Sequence, residues 1–292
     1  MEAIEVENVS RYYGKTQALE DISFSLNDGS FTLLLGPNGS GKTTLLRCML
    51  GLLKFEGVIR IFGYDVKKQG KEVRKNVGYL PQTVNLYSDM TCFQVIDFFS
   101  DLRGIDVTLE ETLGAVGLLD KAHVKVGALS GGMKQRLSLA VALLGNPRAL
   151  LLDEPFSNMD ALSRTETIGI MRRLKESGKT IIISTHTLSG LLTMADNVIV
   201  LDRGKVLGIM KSEEILKTIP TAYRIYIQQQ YHIIDSSAEE ISSPTNGWTI
   251  IKTHNLQKTL SNLMRLGIDM SSVIIEEPNV DELIMKLSAG GV

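Results

Sequence analysis

The sequence predicts an α/β fold built on a parallel sheet, with a smaller α+β appendage toward the C-terminus. Three observations carry this. "FTLLLG" runs into a glycine-rich loop and then into "KTTLLRCMLGLL", a strand, loop and helix in series. "ALLLD", "TIIIST" and "NVIVLD" are short, continuously apolar runs separated by helical segments, the pattern of strands covered on both faces. After about Leu216 the texture changes to short strands alternating with two short helices.

The elements follow in order. "IEVENVS" and "ISFSL" open the chain as β-like runs, and "GVIRIFG" returns to strand after the first helix. Between Pro81 and Asn146 the reading is mostly helical, through "TCFQVIDFFSDLRG", "TLEETLGAVGLL" and "LSGGMKQRLSLAVALL". In the last of these, Met133, Leu137, Val141 and Leu144 recur at helical spacing, which predicts an amphipathic helix. Residues 83–146 therefore read as a helical insertion into an α/β domain spanning 1–216. The remainder, 217–292, reads as a small α+β domain. "YRIYIQ", "WTIIKT" and "SVIIEE" are its strands, and "PTNG" is a turn. Asn255 and Asn279 stand as N-caps of "LQKTLSNLMRLG" and "VDELIMKLS".

Composition narrows the function classes. With 43% hydrophobic and 22% charged residues the chain is an ordinary soluble protein. A net charge of −2 provides no general attraction to nucleic acid or anionic lipid. Cys48 and Cys92 lie inside apolar runs and read as buried thiols in a reducing compartment. The start "MEAIEVENVS" has no basic residues or apolar core, so it does not read as a signal peptide. No run of 18 apolar residues occurs, so the chain is not expected to span a membrane. The expectation is a cytoplasmic chain, and any role at a membrane would need a separate partner.

The chemistry sits in four places. "GPNGSGKTT", Gly36, Pro37, Asn38, Gly39, Ser40, Gly41, Lys42, Thr43 and Thr44, fits G-x-x-x-x-G-K-[ST] between a strand and a helix. Its glycines let backbone N–H groups wrap phosphates, Lys42 reaches the β- and γ-phosphates, and Thr43 ligates Mg²⁺. "ALLLDEP" ends an apolar strand in two acids. Asp153 is the natural Mg²⁺ partner, and Glu154 is placed to polarise an attacking water. "TIIISTH" ends a core-type strand at His186. Ligands gather at the carboxyl ends of such strands, so a neutral imidazole there would face a γ-phosphate oxygen or the water. His123, His232 and His254 have no such setting and read as surface residues. "LSGG" before a helix leaves free N–H groups at a positive dipole end, a second anion site for which the chain shows no evident ligand.

With these residues in view, the chain resembles the ATP-binding subunits of ABC transporters. The P-loop, "YLPQ", "LSGGMKQR", "ALLLDEP", "SNMD" and "STH" occur in that family's order. The resemblance implies a P-loop NTPase core with an antiparallel β-subdomain and an inserted helical subdomain, binding ATP and Mg²⁺. It assigns adenine stacking to Tyr13, with Tyr12 beside it as the other choice. Gln82 resembles the glutamine that approaches Mg²⁺ and water. Asp160 is retained within "SNMD", which departs from the commoner Ser-Ala-Leu-Asp. Such ATPase domains pair head to tail, so Ser130, Gly131 and Gly132 would reach the γ-phosphate bound by a second subunit, identical or not. The implied partners are that subunit and an integral membrane permease, which holds the chain at the inner face of the membrane. Nucleic acid is not among them.

The ending "EEPNVDELIMKLSAGG" resembles subunits of ABC-2 type exporters, as does the "LY…FF" layout upstream, although a dimerisation or regulatory module would also fit. Two other functions stay open at this point: a soluble ABC-type ATPase acting as a mechanical clamp, and an importer ATPase with a regulatory C-terminal domain.

Overall fold

The computed structural model describes residues 2–83, 85–157, 159–186, 190–218, 223–227, 240–242, 248–253, 256–270 and 273–276. The expectations placed on Asn158, the turn 244–247, His232, His254, Asn255 and the helix after Asn279 lie outside the described residues. The chain divides into two compact units, 1–186 with 190–212, and 213–292 with 187–189.

In the first unit, β1 (Glu2–Tyr13) and β2 (Thr16–Asn27) pair antiparallel around Gly14, whose φ of 59° suits the turn. In β2, buried Ile22, Phe24 and Leu26 alternate with exposed Asp21, Ser23 and Ser25, the period of a strand with one wet face. β3 (Phe31–Leu35) is buried along its whole length and leads through the glycine loop into α1 (Lys42–Met49). β4 (Glu56–Ile61) and β5 (Tyr64–Asp65) return to the first sheet, in the order β2-β1-β4-β5. α2 (Gly70–Asn76) and β6 (Val77–Leu80) follow.

The helical segment comes next. α3 (Cys92–Arg103) starts on a reciprocal capping box between Thr91 and Gln94 and stops at Gly104, φ 64°. α4 (Leu109–Ala115) and α5 (Gly131–Leu143) precede β7 (Ala149–Asp153). β6 and β7 are parallel neighbours, Val77 opposite Ala149 and Leu80 opposite Leu152. The helices therefore leave and rejoin one edge of the same sheet.

α5 corrects the sequence reading. Its expected apolar stripe is only partly its buried face: Leu137 and Leu144 are buried, but Met133 and Val141 are half-buried. Gln135, Arg136 and Ser138, polar residues outside that stripe, are buried too. The reason is tertiary. α5 packs against β6, α3, α4 and α6 (Ala161–Glu176), so neighbours cover polar positions that an amphipathic pattern would leave wet. Arg136 meets this by pairing with Glu166 at 3.1 Å and approaching the Val116 carbonyl at 3.4 Å.

β8 (Thr180–Thr185), β9 (Asn197–Asp202) and β10 (Lys205–Lys211) complete the second sheet, in the order β10-β9-β3-β8-β7-β6. All but β10 run parallel. β3, β7 and β8 are buried at every residue, as continuous apolar runs require. Leu35 stands opposite Thr185, and Asp153 opposite Ser184, so the three strands end together. Cys48 and Cys92 are free, buried thiols, and burial pushes that of Cys48 up to about 11.

From Ser212 the chain enters α7 (Ser212–Thr218). The second unit contains β11 (Tyr223–Ile227), β12 (Glu240–Ser242), β13 (Thr249–Thr253), α8 (Leu256–Arg265) and β14 (Val273–Glu276). Its antiparallel sheet, order β12-β13-β11-β14, buries Ile225, Ile227 and Ile251 with Leu263 of α8 and Ile268.

Candidate nucleotide site

The glycine loop has little freedom of composition. A Cβ at Gly36 would lie 2.1 Å from the Leu201 carbonyl oxygen, so only hydrogen fits there. Gly41 is the N-cap of α1 at φ 108°, with no side-chain cap, and a Cβ on it would stand 2.8 Å from the Ala18 oxygen. The N–H groups of the first turn of α1 are thus left for an anion rather than for a capping side chain. Lys42 folds back over the loop. Its Nζ donates to the carbonyls of Gly36 at 2.7 Å and Pro37 at 3.1 Å, and lies 3.4 Å from Glu154 Oε1. Ser40 is buried with its Oγ unpartnered, while its carbonyl accepts from the Gly204 N–H at 2.9 Å.

The acidic pair closes the other side. Asp153 is fully buried. Its Oδ1 accepts from Thr43 Oγ1 at 3.0 Å and Ser184 Oγ at 2.6 Å, and its Oδ2 has no partner. Glu154 adopts φ 48°, left-handed backbone that is uncommon for a residue with a Cβ. Its N–H is shared between the Ser184 carbonyl at 3.1 Å and Ser184 Oγ at 2.9 Å. Its own carbonyl accepts from Ser157 N–H and Oγ. A conformation costing of order 1–3 kcal/mol is thereby over-determined by its neighbours. The strain turns the carboxylate out of the strand: Oε1 faces Lys42, and Oε2 lies 2.9 Å from His186 Nδ1.

Lys42, Thr43 and Glu154 meet in a cavity of about 370 Å³, lined also by Asn38, Gly39, Gly41, Thr44, Gln82 and Ala18, with Asp153 and His186 reaching it through Thr43 and Glu154. Gln82 is exposed on its wall. The unpartnered, buried Asp153 Oδ2 beside the Thr43 hydroxyl fits a hard cation that completes its shell with nucleotide oxygens. Among the described residues no group of three His, Cys, Asp or Glu side chains is placed to hold a metal by itself.

Other sequence-predicted residues stand elsewhere. Tyr13 ends β1, half-exposed, with the Arg11 guanidinium 4.7 Å from its ring centroid; neither it nor Tyr12 lines the cavity. Ser130 caps α5, its Oγ accepting from the Met133 N–H at 3.2 Å. That leaves the N–H groups of Gly131 and Gly132, the first two helical residues, without intrahelical acceptors. Asp160 caps α6 and accepts from the Ser163 N–H at 2.9 Å and Ser163 Oγ at 2.8 Å. None of these four lines the cavity.

Sequence reasoning missed Ser184, which bonds both acids. A signal was present: in "STH", Ser184 and His186 are two apart at a strand end, the spacing that puts side chains on one face. Gly204, which holds the Ser40 carbonyl, had no such signal, because it comes from a turn distant in sequence.

A glycine cradle and a lysine at the carboxyl ends of parallel strands, backed by a threonine–aspartate pair, define the class: a P-loop nucleoside triphosphatase. The family model described as "ABC transporter" matches residues 19–157. The linearmycin resistance ATP-binding protein LnrL of Bacillus subtilis is 27% identical over 98% of both chains. The Nod factor export ATP-binding protein I of Burkholderia orbicola is 38% identical over 69% of this chain and 68% of its own. The crystal structure of a nucleotide-free ATP-binding cassette from an ABC transporter superposes with a TM-score of 0.68 at 26% identity, covering 75% of this chain and 95% of its own. The chain belongs to the ATP-binding proteins of ABC transporters, and it is an ATPase.

Proposed function

We propose that this chain is the ATP-hydrolysing subunit of an exporter whose membrane-spanning part is a separate permease, and that it works as a head-to-tail pair. The observation that carries this is the separation of two anion-binding helix starts. α1 has Lys42, Thr43 and Glu154 around its cavity, whereas the start of α5 borders no part of that cavity. A second copy supplies what α5 lacks: its γ-phosphate accepts from Ser130, Gly131 and Gly132 across the interface.

In each site the ATP phosphates take the place of the Gly36 and Pro37 carbonyls as acceptors for Lys42, and the loop N–H groups wrap them. Thr43, Asp153 and Gln82 would hold Mg²⁺, which would neutralise phosphate charge. Lys42, drawn to the phosphates, releases Glu154 Oε1, which accepts a proton from the attacking water. His186 steadies the other carboxylate oxygen and faces the γ-phosphate. Asp160 fixes the start of α6 beside the interface, and Tyr13, half-exposed at a strand end, is the surface on which adenine stacks.

The ATPase domain is 1–216, with its helical insertion at 83–146, and 217–292 is an accessory domain. Export is supported by the relative named for Nod factor export. A separate permease is supported because no helix among the described residues is long and apolar enough to cross a membrane. A groove of about 990 Å³ beside the helical segment has Leu52, Phe99, Leu102 and Val141 on its walls and exposed Lys71 and Arg74 at its rim. That chemistry suits an amphipathic cytoplasmic helix of the permease carrying carboxylates. The chain then sits in the cytoplasm against the inner face of the membrane, without nucleic acid.

The test is Glu154→Gln with ATP, followed by light scattering. The expected result is a stable dimer that retains ATP and releases no phosphate; a monomer under saturating ATP would overturn the paired reading. Lys71→Glu with Arg74→Glu is expected to abolish co-purification with a co-expressed membrane permease, while leaving ATP binding unchanged.

A further inference from the structure

The start of α5 is held against α6 through a contact with no room to spare. A Cβ at Gly132 would lie 2.5 Å from both Cβ and Oγ of Ser163. Ser163 is itself buried and cannot swing aside: its N–H and Oγ both donate to Asp160, and its carbonyl accepts from Thr167 Oγ1 at 2.8 Å. One turn further along both helices, Arg136 pairs with Glu166 at 3.1 Å, so the seam is pinned at two levels.

We propose that Ser163 is a positioning residue for ATP hydrolysis: it sets where the N–H groups of Gly131 and Gly132 stand, and so whether they reach the partner copy's γ-phosphate. This rests on the paired reading above. The reason is geometric. Charge-assisted hydrogen bonds to phosphate depend closely on distance and angle, and a Cβ on Gly132 could not be accommodated against Ser163 without moving α5 from α6. Ser163 touches no nucleotide, so it acts on pairing and turnover and not on the nucleotide affinity of the single chain.

The experiment measures ATP-driven pairing in the Glu154→Gln chain, and kcat and ADP affinity with Glu154 intact. Gly132→Ala is expected to weaken pairing and kcat at least tenfold while ADP affinity stays within twofold. Ser163→Gly, which opens the space, should restore the Gly132→Ala chain to within threefold of Ser163→Gly alone. Ser163→Val, which fills the space from the other side, should reproduce the Gly132→Ala defect. Ser163→Ala, which keeps the Cβ contact and loses the hydroxyl bond to Asp160, should keep pairing and kcat near wild type with a slightly lowered melting temperature. If Gly132→Ala does not fold, the Val and Ala variants at 163 decide: Val defective with Ala intact supports the assignment, and both alike overturns it. A Glu154→Gln parent that stays monomeric on ATP sinks the paired reading and this assignment together. A parent that pairs, with a double variant that does not recover, sinks this assignment alone.

Discussion

Two helices of this chain begin on serine and glycine, and they are built differently. α1 starts after "GSG" at Gly41, in left-handed backbone with no side-chain cap. α5 starts at "SGG" from Ser130, in extended backbone, capped by its own hydroxyl. Around the first, a buried lysine, a buried aspartate and a strained glutamate complete an anion site within one chain. Behind the second stands only Ser163, as a spacer. A glycine at a helix start therefore serves two ends. Gly41 supplies a backbone angle that other residues resist, while Gly132 lets a neighbouring helix come close.

The contrast can be broken from either side. Lys42→Ala attacks the complete site and should have the largest effect. Losing charge-assisted bonds of about 1.5–3 kcal/mol lowers ATP affinity of the isolated chain by ~10–100-fold, read by isothermal titration. Unchanged affinity would remove Lys42 from the phosphate site. Gly41→Ala combines left-handed strain with a 2.8 Å clash against Ala18. It should cost about 1–3 kcal/mol in chemical denaturation and abolish ATP binding together. Ser184→Ala removes the hydroxyl that bonds both acids, so kcat should fall about tenfold with a loss of about 1–2 kcal/mol of stability.

On the other side, Ser130→Ala should cost only ~1 kcal/mol, the value of a helix cap. It should weaken ATP-driven pairing while ADP binding by the single chain stays as it was. Equal loss of both would merge the two sites into one chain. The smallest effect concerns Asp160. The Ser163 N–H, and then its hydroxyl, hold the Asp160 carboxyl below its ordinary 3.8. A depressed carboxyl contributes stability above its unfolded value and loses it as pH falls through the folded one. The melting-temperature gap between wild type and Asp160→Ala should be constant above about pH 5 and close below about pH 4. A gap that widens in acid would contradict the bonding seen.

Much of this was legible beforehand, for reasons that differ by residue. "FTLLL" and "TIIIST" declare buried parallel strands because their consecutive apolar residues leave no face for water. "GPNGSGKTT" declares a phosphate loop because its spacing has few other uses. α5 was misread because periodicity reports an element's own faces. It cannot report that neighbours cover Gln135, Arg136 and Ser138 and supply Glu166 to the buried arginine. Ser163 was passed over because a single serine carries no pattern, and Ser184 because its spacing from His186 went unused; the meaning of both comes from the acids they hold.

By itself, then, the sequence determined the apolar strands of the central sheet, the phosphate loop with its helix and the two acids at a strand end, because each depends on local composition or fixed spacing. Only the tertiary structure decided that Glu154 turns left-handed to face both Lys42 and His186, and that Asp153 keeps one buried oxygen unpartnered. It also decided that Gly132 is small for the sake of Ser163. These depend on which strands end side by side and how near two helices pass, distances set by packing between segments far apart along the chain.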